Sequence, residues 1–155
     1  MPHIHEKIDF TVEVFIVYHN MVLLRLHDKY NKWLSVGGHI ELDEDPIEAA
    51  IREVKEEVGL DVKLIGETID VDQTRVDYKE LMPPRFLNQH KINETHKHIS
   101  FVYFAKSEND EVVASGDDRS DNWHWFTLQE LDDPKYNLQL STKYYAQQAL
   151  KELGE

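Results

Sequence analysis

The chain has 155 residues, with 30 acidic and 17 basic side chains and a formal net charge of −13. Its length predicts one domain over residues 1–155 with a substantial buried core. The acidic balance argues against binding to duplex nucleic acid, because such surfaces need clustered basic side chains. Cysteine is absent, which excludes disulfides, thiolate ligands and a cysteine nucleophile. With no long apolar run or signal-peptide core, we expect a cytoplasmic protein without membrane contact.

The first part of the chain predicts a β-hairpin that leads into a glycine turn. An apolar, β-branched run covers Phe10–Tyr18, and a second covers Met21–Leu26. The two polar residues between these runs are typical of a hairpin connection. The paired glycines at Gly37–Gly38 are then expected to form a turn before the first helix.

A helix is predicted to begin at Pro46 and to end just before Gly59. Asp45 suits the N-cap, and Pro46 suits the first helical position. Glu48 follows Asp45 by three residues, which is the spacing of a capping box. Gly59 suits the position after the last helical residue.

This helix would carry an apolar stripe on one side and an acidic face on the other. Apolar residues recur at spacings of three and four, namely Ile47, Ile51, Val54 and Val58. Glu53, Glu56 and Glu57 fall within about 100° of one another around the helix axis. Without a cation these like charges repel one another, and a hard cation such as Mg²⁺ would instead be coordinated by them. Acidic faces are usually only solvated, but the spacing after the glycines and the presence of Arg52 favour a metal site.

The middle of the chain predicts strands on either side of one long irregular segment. Strand-like stretches cover Asp61–Ile69 and Asp72–Tyr78, and Ile99–Ala105 is apolar nearly throughout, as expected for a central strand. The segment Glu80–Lys97 contains Pro83–Pro84 and has little periodicity. We predict a lid or specificity loop there, and an inert surface loop is the alternative.

The last part of the chain predicts a short strand and a C-terminal helix. Trp123–Leu128 reads as the strand, with its tryptophans packing on the sheet, and Gln129–Leu131 as one helical turn. The final helix is expected over Ser141–Leu153. Its predicted buried residues are Tyr144, Tyr145, Ala149 and Leu153. Helices interleaved with strands predict an α/β fold with two helical layers around a mixed sheet.

One segment carries a specific functional pattern. Residues 38–60 satisfy Gly-x5-Glu-x7-Arg-Glu-apolar-x-Glu-Glu-x-Gly-apolar at every position. This pattern is the signature of the Nudix hydrolases, and the chain resembles that family. The resemblance implies a Nudix-type α/β/α sandwich with a mixed β-sheet. It also implies hydrolysis, with Mg²⁺ or Mn²⁺, of a small molecule in which a nucleoside diphosphate is linked to another group.

Two other functions remain open at this point. One is a catalytically silent nucleotide-binding or sensor module on the same fold, although the intact carboxylates argue against it. The other is a diphosphate isomerase on a related fold, which is disfavoured because that chemistry typically uses a cysteine. The sequence also leaves open the substrate and whether the chain forms a homodimer.

The resemblance implies roles for individual residues. The implied metal ligands are Glu53, Glu56, Glu57 and the backbone carbonyl of Gly37. Glu44 and Arg52 would form a supporting ion pair, or Arg52 would brace Glu56. Glu53 is favoured as the general base, and the alternatives from the long segment are Glu94, His96 and His98.

Two departures from the common family pattern accompany these roles. Many relatives have Leu-Pro before the paired glycines, where this chain has Ser35–Val36, and His39 follows Gly38. The resulting Gly-Gly-His-Ile-Glu version resembles a subset of small bacterial Nudix proteins. The missing proline is expected to relax the turn without removing a ligand.

Other residues are weaker candidates for binding. Arg25 could contact a phosphate, because it lies on a predicted strand that enters the site region, and Trp33 and Phe86 could stack on a base. His3 and His5 are spaced two residues apart, as are His96 and His98, so each pair could bind a transition metal from one side of a strand. Near a chain terminus such pairs are more often incidental.

Overall fold

The computed structural model describes residues 3–27, 29–113 and 122–155. Within these ranges eight strands form one sheet. The strands are β1 (Ile8–Tyr18), β2 (Met21–His27), β3 (Lys32–Leu34), β4 (Val36–His39), β5 (Val62–Ile65), β6 (Phe86–Asn93), β7 (His96–Ser107) and β8 (Asn122–Thr127). The helices are α1 (Pro46–Val58), α2 (Leu128–Leu131) and α3 (Leu140–Leu153), with a 3₁₀ turn at Pro134–Tyr136.

The sheet is built around β1 and β7, which run parallel to each other over ten register pairs from Ile8↔Lys97 to Val17↔Lys106. All other described pairings are antiparallel: β2 and β4 both pair with β1, β5 and β6 both pair with β7, and β3 and β8 flank β2. The predicted β1–β2 hairpin and the central position of the Ile99–Ala105 run are therefore confirmed. Because the sheet contains both parallel and antiparallel pairings, the prediction of a mixed β-sheet is also confirmed.

Each face of the sheet packs against one long helix. Val12 and Val14 of β1 belong to a core shared with α1, whereas Phe15 and Val17 belong to a second core shared with α3. This division follows from the strand geometry, because successive side chains point to opposite faces. The two helical layers around the sheet give the predicted α/β/α sandwich. In the described part of the chain, no helix is long and apolar enough to cross a membrane.

Helix α1 has the predicted ends, and its predicted apolar stripe is buried at Val54 and Val58 but not at Ile51. Asp45 is the N-cap and Glu48 completes the capping box, while Gly59 adopts a left-handed conformation with φ of 69°. The predicted burial of Ile51 is wrong, since this side chain is 41% exposed. Glu53 and Glu57 are buried as well, because this side of the helix packs against the glycine-containing strand β4, where the absence of a Cβ atom at Gly38 leaves room for the Glu53 carboxylate.

Three other predictions from the sequence are wrong. The predicted glycine turn at Gly37–Gly38 lies inside β4, which pairs with β1. Asp72–Tyr78 forms turns without strand pairing. Tyr144 is 49% exposed on α3, where Ala146 and Leu150 are buried in its place.

The prediction of a long irregular loop over Glu80–Lys97 is also wrong, because most of this segment is a β-hairpin. Phe86–Asn93 pairs with β7, and the side chain of Asn93 accepts a hydrogen bond from the Thr95 amide in the turn. Most side chains of β6 are exposed, so the strand has none of the apolar alternation that marks a buried strand. Only the part before Arg85 lacks regular structure.

The capping box of α1 yields a stability prediction. The Asp45 carboxylate accepts a hydrogen bond from the Glu48 amide at 2.9 Å, and the Glu48 carboxylate accepts one from the Asp45 amide at 3.0 Å. Asp45→Ala should lower the free energy of unfolding by about 1 kcal/mol, measured by urea denaturation. Asp61→Ala is the matched control, because among the described residues this exposed carboxylate forms an ion pair with the Lys55 ammonium group at the helix surface and caps no helix. Equal losses in the two variants would contradict a capping role.

Candidate active site

The acidic side of α1 meets β4 at two glycines that have no room for a side chain. A Cβ atom added at Gly38 would overlap the carboxylate of Glu53, and one added at Gly37 would overlap the backbone of Val12. Gly38 therefore lets α1 approach β4 closely enough to enclose the Glu53 carboxylate, whereas Gly37 lets β4 lie close to β1. These two close approaches explain why both positions are glycine, although neither residue lies in a turn.

Glu57 lies at the centre of this contact. Its side chain is only 3% exposed, and its Oε1 accepts a hydrogen bond from the amide of Gly37 at 3.2 Å. Its Oε2 lies 2.8 Å from Nε of Arg25 in an ion pair, but the two atoms lack hydrogen-bond alignment. Arg25, which the sequence suggested as a phosphate contact, is thus engaged with a predicted metal ligand.

Arg52 organises the rest of the acidic group. Its guanidinium donates to both oxygens of Glu44, to Glu53 at 2.9 Å and to Glu56 at 3.2 Å. It also donates to the backbone carbonyl of His39 at 3.0 Å. The ion pair expected between Arg52 and Glu44 is present, together with the brace to Glu56 that was its alternative. One guanidinium therefore ties α1 to the loop before it and to the end of β4.

The three predicted carboxylate ligands differ in their access to solvent. The side chains of Glu53 and Glu57 are 4% and 3% exposed, whereas that of Glu56 is 55% exposed. Two of these carboxylates thus face the enclosed contact with β4 and one faces solvent. An ion held here would have protein on one side and an open side toward a substrate.

Burial shifts the protonation of the enclosed pair. Desolvation raises the pKa of Glu57 to about 8 and also raises the pKa of Glu53. A hydrogen bond between the two carboxyl groups helps hold the proton on Glu57, while Arg25 opposes the shift. Glu44 behaves in the opposite way, because its hydrogen bonds with Arg52 lower its pKa. At neutral pH without a cation, the pair therefore tends to keep one proton.

The charges of this group suit a divalent cation. Four carboxylates face two guanidinium groups, from Arg25 and Arg52, which leaves two negative charges when all are ionised. Oxygen donors of this kind are those that Mg²⁺ and Mn²⁺ prefer. The buried Oε2 of Glu57 accepts no hydrogen bond, and its one described polar contact is the ion pair with Arg25. The residues present therefore fit the implied metal.

The aromatic candidates for base stacking lie in the core on the α3 side of the sheet. The ring of Trp33 packs against Phe126 and Tyr136 at centroid distances of 5.0 and 5.9 Å. Phe86 packs against Tyr145 at 5.1 Å. None of the described contacts joins either ring to the carboxylates of α1. A role in stacking on a base therefore stays a prediction.

The alternative bases from the β6–β7 hairpin are held elsewhere. Glu94 is 95% exposed in the hairpin turn, 3.7 Å from the ammonium group of Lys91. His96 and His98 belong to a cluster of histidines around Asp9 on the α3 side of the sheet. None of the contacts described for these residues joins them to Glu53, so Glu53 stays the preferred base.

A row of hydrogen-bonded polar side chains beside the glycines, on the α3 side of the sheet, was not predicted from the sequence. Glu13, which is opposite Gly37 in the register, accepts hydrogen bonds from Ser35 at 3.2 Å and from Asn88 at 3.4 Å. Asn88 also donates to the Tyr145 hydroxyl at 3.2 Å. The signal that could have revealed this row is the alternation of polar with apolar residues in the first half of β1.

The contact at Gly38 yields a prediction. Gly38→Ala should displace the carboxylate of Glu53 and weaken Mg²⁺ binding by at least about tenfold, measured by isothermal titration calorimetry. Because the clashing group is a side-chain terminus that can rotate, this variant should stay folded. Gly66→Ala is the control, since its added Cβ would also meet a flexible side chain, that of Met82. Unchanged Mg²⁺ affinity in Gly38→Ala would contradict the placement of the metal beside Glu53.

The raised pKa of Glu57 predicts a pH-dependent stability of the metal-free protein. A folded-state pKa above the ordinary value of 4.5 stabilises the protein below that value, and the stabilisation is lost as the pH rises toward about 8. Tm should therefore fall more steeply over this range in the unaltered protein than in Glu57→Gln, which lacks this carboxyl group. Added Mg²⁺ should raise Tm more at about pH 8 than at about pH 6, because the cation competes with the proton. Parallel pH profiles for the two proteins would contradict this assignment.

Comparisons with known proteins identify the family of this chain. A family model for the NUDIX domain matches residues 10–148. A hydrolase of the NUDIX family from Clostridium perfringens has a solved structure that is 38% identical, with a TM-score of 0.84 over 94% of this chain and 97% of its own. The shared fold therefore extends over nearly the entire length of both proteins.

Two curated relatives match over shorter stretches. A probable DHNTP pyrophosphohydrolase from Lactococcus lactis subsp. cremoris is 32% identical over 63% of this chain and 54% of its own. An RNA pyrophosphohydrolase from Bartonella clarridgeiae is 32% identical over 67% of this chain and 61% of its own. The chain thus spans a little over half the length of each of these relatives. On the match over residues 10–148 and the site geometry together, the chain belongs to the Nudix hydrolase family.

Proposed function

We propose that this protein is a Mg²⁺-dependent hydrolase, with Mn²⁺ as a substitute, that cleaves a diphosphate bond in a nucleoside diphosphate derivative or a similar small molecule. The observation that carries the proposal is the buried pair of Glu53 and Glu57, which packs against Gly38 and the Gly37 amide and is paired with two arginines. Such a pair is costly to bury in a protein that does not use it. A net charge of −13 favours a small substrate over duplex nucleic acid.

Glu53, Glu56, Glu57 and the carbonyl of Gly37 would hold the cation. When bound, the cation would neutralise phosphate oxygens and lower the pKa of a coordinated water. Arg52 contributes orientation, because its bonds to Glu53 and Glu56 fix both carboxylates on the same side of α1. Arg25 forms an ion pair with Glu57, so the ligand set is positioned by two guanidinium groups.

Glu53 is the side chain best placed to accept a proton from the attacking water. Its pKa is raised by burial, which brings a carboxylate closer to the range in which a general base works near neutral pH. Attack at phosphorus forms one P–O bond and breaks the bridging P–O bond, which gives two phosphate-bearing products. The catalysis rests on positioning and electrostatics, without a covalent enzyme intermediate.

The substrate can be identified by a panel with two kinds of readout. The panel includes nucleoside triphosphates, nucleotide sugars, dinucleoside polyphosphates, DHNTP and 5′-triphosphorylated RNA, because the two curated relatives are named for the last two. Mass spectrometry of both products in ¹⁸O-labelled water identifies the attacked phosphorus. Nucleotide binding without Mg²⁺-stimulated release of product on any member would instead support a silent binding module on the same fold.

A substitution at the centre of the site tests the proposal. Glu57→Gln should remain folded but lose at least about 100-fold in kcat at saturating Mg²⁺, equal to roughly 2.7 kcal/mol of transition-state stabilisation. Glu67→Gln is the matched control, since this exposed glutamate lies outside α1 and should leave kcat unchanged. Full metal-dependent turnover by Glu57→Gln would show that Glu57 is not a ligand.

A further inference from the structure

Histidines surround one buried aspartate near the start of β1. The Asp9 side chain is 1% exposed, and its Oδ2 lies 3.1 Å from Nδ1 of His3, 3.3 Å from Nε2 of His39 and 3.2 Å from Nε2 of His96. A fourth histidine, His98, packs edge-on against His39 and His96, with ring centroids 5.0 and 5.2 Å away. We name these five residues the histidine cluster.

Several elements of the fold assemble the histidine cluster. Asp9 is opposite His98 in the parallel register of β1 and β7, and His96 shares the face of His98 because side chains alternate along a strand. The segment before β1 turns back over the strand, and the amides of Ile4 and His5 donate to the Asp9 carboxylate. This turn carries His3 to the cluster.

His96 has an orientation that a hydrogen-bond network alone does not explain. Its side chain is 3% exposed, and its Nδ1 lies 3.0 Å from the carbonyl oxygen of Glu6. A carbonyl oxygen only accepts, so Nδ1 carries the hydrogen, and Nε2 of the neutral ring presents a lone pair. That lone pair faces the Asp9 carboxylate, and Nε2 makes no hydrogen bond. Two acceptors facing each other in a buried site call for a proton or a metal ion between them, and Nε2 of His96 lacks the alignment of the hydrogen bond that a proton would form.

The same arrangement is typical of metal-binding histidines. In such sites the ring nitrogen that does not bind metal donates to a backbone carbonyl or a carboxylate, which fixes the tautomer. His98 is also suited to bind a metal, because its buried Nε2 makes no hydrogen bond.

The spacing of the donor atoms matches a small coordination sphere. One donor atom from each of His3, Asp9, His96 and His98 lies within 4.8 Å of all the others. A tetrahedral zinc site with bonds of about 2.0–2.1 Å places neighbouring donors about 3.3–3.4 Å apart. The distances of 3.1 and 3.2 Å from Asp9 to His3 and His96 are already close to this value, so small side-chain rotations would complete the sphere.

We propose that His3, Asp9, His96 and His98 form a second metal site, which binds a divalent transition-metal ion of the Zn²⁺ type. Three imidazoles and one carboxylate favour such an ion over Mg²⁺, which prefers oxygen donors. The site is distinct from the carboxylates of α1 and does not depend on the proposed hydrolysis. Its effect would be structural, because it joins the segment before β1 to β7.

The test is a Zn²⁺ titration of chelator-treated protein in excess Mg²⁺, with a chromophoric chelator as competitor. We expect one equivalent of tightly bound Zn²⁺ in the unaltered protein and in the double variant Glu53→Gln/Glu57→Gln. His3→Ala and His96→Gln should each weaken binding by at least about tenfold. His19→Asn is the matched control, because this exposed histidine has a positive φ of 52° that asparagine tolerates.

If substitution of the buried His96 prevents folding, His3→Ala still tests the proposal, because the His3 side chain is 39% exposed. Two further readouts follow from the geometry. Co²⁺ should give the intense visible absorption of a tetrahedral site, and Zn²⁺ should slow hydrogen exchange at the amides of Ile4 and His5, which bond to Asp9. Absence of tight Zn²⁺ binding, loss of binding in the double variant, or full binding in His3→Ala would each overturn the proposal.

Discussion

The close approach of α1 to β4 at Gly37 and Gly38 is the constraint on which the site depends. With no Cβ atom at position 38, the carboxylate of Glu53 can lie against the strand. Glu57 can then accept a hydrogen bond from the Gly37 amide. The cost of this packing is the desolvation of two acids, which appears as their raised pKa values. A divalent cation would relieve that cost, so the same packing that destabilises the metal-free carboxylates favours metal binding.

Rigidity around this contact comes from both sides. The capping box at Asp45 fixes the start of α1, and β4 is fixed by its antiparallel pairing with β1. Arg52 joins the two elements, because it binds Glu44 before the helix and the His39 carbonyl at the end of the strand. Ligands held in this way lose little freedom when an ion binds, which is the physical meaning of a preorganised site. The mechanism would therefore rest on local geometry more than on any large movement.

The parts of the fold that could be predicted from the sequence are those specified by local chemistry. The ends of α1 depend on Asp45, Pro46 and Gly59, whose conformational preferences act without distant partners. The burial of Glu53 in place of Ile51 could not be predicted, because it depends on space left by glycines in a strand that the sequence suggested was a turn. Strand β6 was missed for a related reason: backbone pairing with β7 holds it, and its exposed side chains carry no periodic signal.

Strand β4 also connects the two groups of ligating side chains. Gly38 is opposite Val12, on the α1 face of the sheet, whereas His39 is opposite Thr11, on the other face. Consecutive residues of one short strand therefore touch Glu53 on one side and Asp9 on the other. Arg52 binds the carbonyl of His39, so His39 contacts the acidic group of α1 through its backbone and the histidine cluster through its side chain. The two groups are thus joined by one residue of β4, although they lie on opposite faces of the sheet.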